Sequence, residues 1–276
     1  VSIEVPVDVW AKPAPGSITT PNATMPSPDP ALIEKAAAII ASAERPLFVI
    51  GSGAYDAGES VAELAELVQA AVTTRRMGHG VLPTQHPLMV PITSAHDLWP
   101  TADVVVGIGS RIEWPLGSWG YDDDLTLIQI NVDETELDRH GITDVGIHSD
   151  ADLACRALID AIGPLNRPSR IPELNALRAS FQDRTSHLEP QLSYTAAIRD
   201  VLPDDGVMVE DVTQIGFAAH LFYDHLKPRT FLSSGAAGTL GAGTAVAIGA
   251  SAATDRPVVG VTGDGGFLFT ATELAT

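Results

Sequence analysis

The segment PVVGVTGDGGFLFTATEL, residues 257–274, sets Gly263-Asp264-Gly265-Gly266 between an apolar run and a helical pattern. Glycines at such a junction remove side chains, so that backbone N–H groups can approach a phosphate, and the helix start adds a favourable dipole. Asp264 can hold a hard cation that bridges diphosphate oxygens. In an open α/β sheet this turn lies at the carboxyl edge of the strands, where ligands bind. The spacing therefore points to a metal-diphosphate cradle with Asp264 as the metal ligand. The same four residues also make a plain tight turn after a strand, and the tetrapeptide alone does not separate the two.

A cradle of this kind needs buried parallel strands behind it. Near-continuous apolar runs at 47–50, 102–108 and 125–132 read as strands covered on both faces, and runs at 207–212, 230–233 and 257–262 form a second series. Between them lie helical stripes. Ile33, Ala36, Ala37 and Ile40 form one, opened by Asp29-Pro30 as N-cap and first-turn proline, and Val61, Leu64, Ala65 and Val68 form another. Further helices are expected at 152–162, 194–201, 216–225, 240–254 and 270–276, with an optional one at 174–184. Residues 1–9, VSIEVPVDV, alternate as a short strand, and a stretch rich in Pro, Ser, Thr and Asn follows. Strand, turn and helix repeated twice give an α/β chain with two Rossmann-like parallel-sheet domains.

Composition narrows the partners. The 276 residues carry 16 Lys plus Arg against 35 Asp plus Glu, a net charge of −19. So acidic a surface repels nucleic acid and anionic membranes. Residues 230–254 are uncharged and long enough to span a bilayer, but they are mostly Gly, Ala, Ser and Thr, so they read as a strand, a glycine turn and a buried helix. A single Cys155 excludes internal disulfides and multi-thiolate zinc sites, and it suits a cytoplasmic protein. No signal-peptide pattern opens the sequence. Cys155 has no neighbouring base and sits by the stripe of Leu153, Ala157, Leu158 and Ile162, so it reads as a core thiol. His79 and His86 flank a proline, and His220 and His225 are five apart. Neither pair shares a helix face as metal ligands would, so these read as surface or packing residues. Trp114 and Trp119 read as aromatics that pack against a partner domain, and the acidic run 121–124 as a solvated loop.

GDGGFLFTATELAT resembles the opening of the thiamine diphosphate motif, and SSGAAGTLGAGTAVAIGA resembles the glycine-rich segment that precedes it in the same enzymes. VSIEVPVDV looks like the last strand of their pyrimidine-binding domain, and LIQINVDETEL like the end of the central domain in the acetolactate synthase and pyruvate oxidase group. The resemblance covers nearly the whole chain. It implies 1–11 as the last strand of the pyrimidine-binding domain, 12–29 as a linker, 30–163 as a DHS-like central domain, 164–191 as a second linker, and 192–276 as the first half of a diphosphate-binding domain. Carried over by position, Asp264 matches the metal (Mg²⁺) ligand, and Gly263, Gly265 and Gly266 match the backbone that holds the diphosphate of thiamine diphosphate. Leu240 matches the bulky residue under the bent cofactor, and Gly238 the carbonyl that contacts its amino group. VEDVTQIGFAAHLFY looks like the segment whose Gln-His pair touches the diphosphate. Gln214 is kept, whereas Ile215 replaces the histidine, which weakens an assignment to true acetolactate synthase.

The implied enzyme is a 2-oxo acid decarboxylase or carboligase that works as a homodimer or homotetramer. The resemblance puts its cofactor-activating Glu before Val1 and a metal-completing Asn after Thr276, so the chain alone is expected to be inactive. Rival readings are a benzoylformate decarboxylase, benzaldehyde lyase or oxalyl-CoA decarboxylase type of lyase, or a non-catalytic nucleotide-binding or assembly module. In the central domain Gly51, Gly53, Gly109, Ser110, Arg111 and Asp133 lie at strand ends where a nucleotide could sit. GSRIEWPLG lacks the charged residues that usually follow Arg in flavin-binding relatives, so a scaffold is favoured over a FAD site.

Overall fold

The computed structural model describes residues 24–122 and 124–276, together with 6–9, 12, 13 and 16. Residues 1–5 of the expected first strand, and half of the stretch 12–29, lie outside the described residues. Val7–Val9 is a 3-10 turn and not part of a strand. The described residues offer it no strand to pair with, and local bonds from Val9 N to Pro6 O and from Lys12 N to Val9 O, both 3.0 Å, satisfy its backbone instead.

Asp29 caps the first helix, α1 (Pro30–Ser42), by accepting from Ala31 N at 2.9 Å, and the helix buries Ile33, Ala36, Ala37 and Ile40. There follow β1 (Leu47–Ile50), α2 (Gly58–Val68), β2 (Ala71–Thr74), α3 (Ile92–Leu98), β3 (Val104–Ile108), α4 (Glu113–Trp119), β4 (Thr126–Asn131), β5 (Val145–His148) and α5 (Ala151–Ile162). The strands form one parallel sheet in the order β2-β1-β3-β4-β5. Every residue of β1, β2 and β3 is buried, because helices cover both faces. Cys155 lies fully buried inside this core, and burial pushes its thiol up to about 12.

The stretch after α5 is largely helical. Helix α6 (Ile171–Thr185) sinks Leu174 into the central core and stacks Phe181 on Phe222 at 5.4 Å. Its approach is stitched by arginines. Arg167 donates to the carbonyls of Ile40, Ala41 and Ala43 at the end of α1, and Arg170 donates to Pro46 O at 2.9 Å. Arg167 thereby supplies donors to carbonyls at the end of α1, where intrahelical partners run out.

The second unit runs α7 (Gln191–Val201), β6 (Val207–Glu210), α8 (Gln214–Phe222), β7 (Phe231–Leu232), α9 (Ala242–Ala253), β8 (Val258–Val261) and α10 (Asp264–Thr270), then a 3-10 turn at Ala271–Ala275 where the sequence suggested an α-helix. Its parallel sheet has the order β7-β6-β8. The core is small, built on Leu202, Met208, Ala219, Tyr223 and Phe231. Helix α9, expected to be buried, is mostly half-exposed, since a three-stranded sheet covers only one side of it. Among the described residues no helix is long and apolar enough to cross a membrane.

Both sheets reverse direction beside their first strand. In the central unit the chain leaves β1 toward β2 and returns as β3 on the other side. In the second unit it leaves β6 toward β7 and returns as β8. Each reversal opens a crevice at the carboxyl edge.

Candidate functional site

The loops that leave β6, β7 and β8 all emerge at one edge, and together with the first turns of α8 and α10 they carry every residue of the sequence-derived cradle. Thr213 caps α8 by accepting from Gly216 N at 2.8 Å, which puts Gln214 first in that helix with its amide 2.7 Å from that of Gln191. Gly238 and Gly241 adopt left-handed conformations, φ +58° and +84°, with Leu240 exposed between them. Gly263 precedes α10, and Asp264 is its exposed first residue, with Oδ1 accepting from Gly265 N at 2.8 Å. The glycine turn and α10 touch directly. Thr270 Oγ1 donates to Gly241 O at 2.7 Å, and a Cβ on Gly241 would lie 2.6 Å from that of Phe269.

Beneath the three loops sits Asp211, which the sequence reading passed over. It is 1 % exposed, and its carboxylate accepts from Val212 N (2.8 Å), Gly241 N (3.0 and 3.2 Å) and Thr262 Oγ1 (3.1 Å). The signal was an acidic pair, Glu210-Asp211, closing a strand whose other residues are apolar.

The carboxyl edge of the central sheet holds a crevice of about 820 Å³. Gly51, Gly53, Gly109, Ser110, Arg111 and Asp133 all line it, as the sequence suggested, and so do Arg75 and Trp114. Glycine is required where β1 and β3 end: a Cβ on Gly51 would lie 2.2 Å from Gly109 O. The Arg75 guanidinium stacks 4.0 Å from the Trp114 ring, and its Nη1 is buried without a partner among the described residues. Burial, aided by neighbouring Arg76, lowers Arg75 to about 10. Asp133 is held below the usual carboxylate range by hydrogen bonds from the Thr135 side chain and backbone. Trp114 and Trp119 meet each other at 5.3 Å. Arg76 reaches from this crevice to the carbonyl of Gly235 in the second unit.

Three histidines meet where the two units touch. His79 stacks on His225 at 4.0 Å, its Nε2 lies 3.3 Å from His220 Nδ1, and its Nδ1 lies 2.9 Å from Thr74 Oγ1. His220 Nε2 lies 3.3 Å from Glu210 Oε1. Desolvation, then the neighbouring imidazoles, pushes His79 well below its ordinary value, and desolvation lowers His225 to about 3. These are packing residues, as the sequence suggested, but their meeting was not foreseen. Among the described residues no group of three or more His, Cys, Asp or Glu side chains is arranged to hold a metal ion.

Two parallel α/β units, each with a crevice at a topological switch point and one with two glycine-bearing loops, define an open doubly wound class of fold whose ligands bind at such crevices. Comparison with known proteins makes the class specific. Residues 33–158 match the family model of the thiamine pyrophosphate enzyme central domain, and residues 211–276 match that of the C-terminal TPP-binding domain. The chain belongs to the thiamine pyrophosphate enzyme family. It is 30 % identical over 289 residues to a probable 2-ketoarginine decarboxylase AruI of Pseudomonas aeruginosa, covering 100 % of this chain and 52 % of that protein. It is 31 % identical to a probable acetolactate synthase large subunit of Methanocaldococcus jannaschii (98 % of this chain, 50 % of the relative). It is 29 % identical to the oxalyl-CoA decarboxylase of Escherichia coli (90 % and 47 %). The chain thus spans about half the length of the curated relatives it matches.

Proposed function

We propose that the chain supplies the central domain and the first half of the diphosphate-binding domain of a longer enzyme, dependent on thiamine diphosphate and Mg²⁺, that decarboxylates 2-oxo acids or makes and breaks carbon–carbon bonds. The observation that carries this reading is the convergence of the three loops, from Gln214, Gly238–Gly241 and Gly263–Gly266, at one carboxyl edge. The residues present suit the group. A Cβ on Gly265 would meet nothing within 4 Å, so space lies open over the first turn of α10, beside an exposed carboxylate at Asp264. An exposed carboxylate beside the first-turn amides of a helix is a donor set suited to a hard cation and a diphosphate.

In this reading Asp264 ligates the metal, the backbone of Gly263, Gly265 and Gly266 and the Gln214 amide hold the diphosphate, Leu240 supports the cofactor rings, and the Gly238 carbonyl accepts from the amino group. When bound, thiamine diphosphate supplies the electron sink for bond cleavage next to a carbonyl carbon. Ile215, half-buried at the start of α8, offers no hydrogen bond where acetolactate synthases carry histidine. That favours a simple decarboxylase or lyase, a class in which the 2-ketoarginine and oxalyl-CoA decarboxylase relatives are named. Activity would need the remainder of the enzyme, in a homodimer or homotetramer. For the central unit we propose a scaffold without tightly held flavin, and a preparation with flavin absorbance would overturn that. The 820 Å³ crevice and the unpartnered Arg75 Nη1 favour, as a second reading, a loosely held anionic nucleotide there.

Calorimetry on the complete enzyme tests the main reading. Asp264→Ala should weaken thiamine diphosphate binding in Mg²⁺ by about 100-fold, ~2.7 kcal/mol, with the melting temperature held within a few degrees, because an exposed loop carboxylate contributes little packing. Wild-type affinity in this variant would remove Asp264 as the metal ligand. Release of CO₂ from a panel of 2-oxo acids would identify the substrate class.

A further inference from the structure

Asp211 stands at the switch point between β6 and β8 and touches all three loops of the candidate site. Its carboxylate accepts from Gly241 N, which ends the glycine turn, and from Thr262 Oγ1, which ends β8 just before Gly263. Three glycines are pressed against it. A Cβ on Gly216 would lie 2.4 Å from Asp211 O, one on Gly243 2.7 Å from Asp211 Cβ, and one on Gly266 2.8 Å from Asp211 Oδ2. The spot requires an acceptor, because the buried Gly241 amide would otherwise be unpaired and the Thr262 hydroxyl would keep only the Gly263 carbonyl at 3.2 Å.

Desolvating a carboxylate is costly, and a neutral acceptor would carry less of that cost. The geometry points to Asp211 as a positioning residue that fixes the Gly238–Gly241 turn relative to the Gly263–Gly266 turn, and so holds the ring end and the diphosphate end of the cofactor site in one register. This rests on the thiamine diphosphate reading above. Asp211 itself lies beneath the loops and is not assigned a catalytic role.

A ligand that does not touch the Gly238–Gly241 turn separates positioning from support of the cradle. Affinities for thiamine diphosphate and for inorganic pyrophosphate, both with Mg²⁺, would be measured on the complete enzyme and on Asp211→Ala. Losing the bridge should weaken thiamine diphosphate by about tenfold or more, while pyrophosphate, which needs the Gly263–Gly266 turn and Gln214 but not the Gly238–Gly241 turn, stays within about threefold. Amide exchange at Gly241 should quicken in the cofactor-free variant, and exchange in β1 and β3 should not. Asp211→Asn should restore most of the affinity, since its carbonyl can take the Val212 and Gly241 amides while its NH₂ donates to Thr262 Oγ1. If Asp211→Ala does not fold, Thr262→Val carries the test, with thiamine diphosphate weakened about threefold more than pyrophosphate. Equal loss for both ligands, or no loss for either, overturns the positioning role. A wild-type enzyme that binds neither ligand overturns the functional reading itself.

Discussion

The two switch points are closed by different means. Between β1 and β3 of the central unit the chain is brought together backbone to backbone, with Gly51, Gly53 and Gly109 so close that a Cβ on Gly109 would lie 2.4 Å from the carbonyl carbon of Gly53. Between β6 and β8 a buried carboxylate does the joining. The first arrangement needs no side chain and is rigid by contact. The second depends on three hydrogen-bond donors reaching one group, so a single substitution can loosen it without touching the sheet. The surroundings differ in the same sense: β1 is buried throughout, whereas β8 is largely half-exposed and Leu268 and Phe269 of α10 are 74 % and 70 % exposed.

The largest expected effect lies in the glycine contact. Gly109→Ala should cost about 3 kcal/mol or more by urea unfolding, since it adds overlap to a left-handed φ of +57°. Gly163→Ala, with φ +65° and ψ −170° but no described atom within 4 Å of the new Cβ, should cost about 1–2 kcal/mol from backbone strain alone. Equal costs would mean that backbone strain, and not close approach, sets the rigidity of the first switch point. Labelling of Cys155 reads the same unit, because its buried thiol reacts only when the central core opens. The rate should rise in Gly109→Ala and stay unchanged in Asp211→Ala.

Acidification should act next, on the contact between the units. His79 and His225 are held neutral when folded, so below about pH 6.5 the unfolded chain binds protons that the folded one does not, and stability falls as the pH drops toward the lowered folded values. For His225, lowered to about 3, the slope approaches about 1.4 kcal/mol per pH unit in that window. Glu210, which faces His220, and Arg199, near His225, are the charged neighbours. His225→Gln should flatten the acid limb by close to one proton in urea titrations at several pH values, and an unaltered limb would place the acid sensitivity elsewhere.

The smallest effect should come from the Asp56–Arg229 pair, which joins the units with bonds of 2.7 and 2.8 Å. Both partners are exposed, so Asp56→Asn should change stability by less than about 0.5 kcal/mol, and less again in high salt.

Much of the central unit was legible because its order is local. Asp29 caps the stripe that follows it, and continuous apolar runs announce β1, β3 and β4. Strand β2 was not legible, since Ala71-Val72-Thr73-Thr74 reads as half polar, and only burial between α-helices and β1 makes it a strand. Strand β5, Val145–His148, is equally short and carries glycine and histidine. In the second unit the glycine turns were legible as chemistry because their types and spacing are distinctive. Asp211 was not, because its burial depends on Gly241 and Thr262, thirty and fifty-one residues further on. The histidine contact joins His79 to His220 across 141 residues, and no periodicity reports a contact of that range.

The packing of Leu174 in the central core sets an order of events during synthesis. The core cannot be sealed when Ile162 leaves the ribosome, because α6 has not yet emerged, and exit of the dozen residues from Gly163 to Leu174 takes on the order of one second. During that interval the pocket awaiting Leu174 is open to other apolar chains. Phe181 then waits in turn for Phe222, so the helix that completes the first unit also presents the surface on which the second one docks.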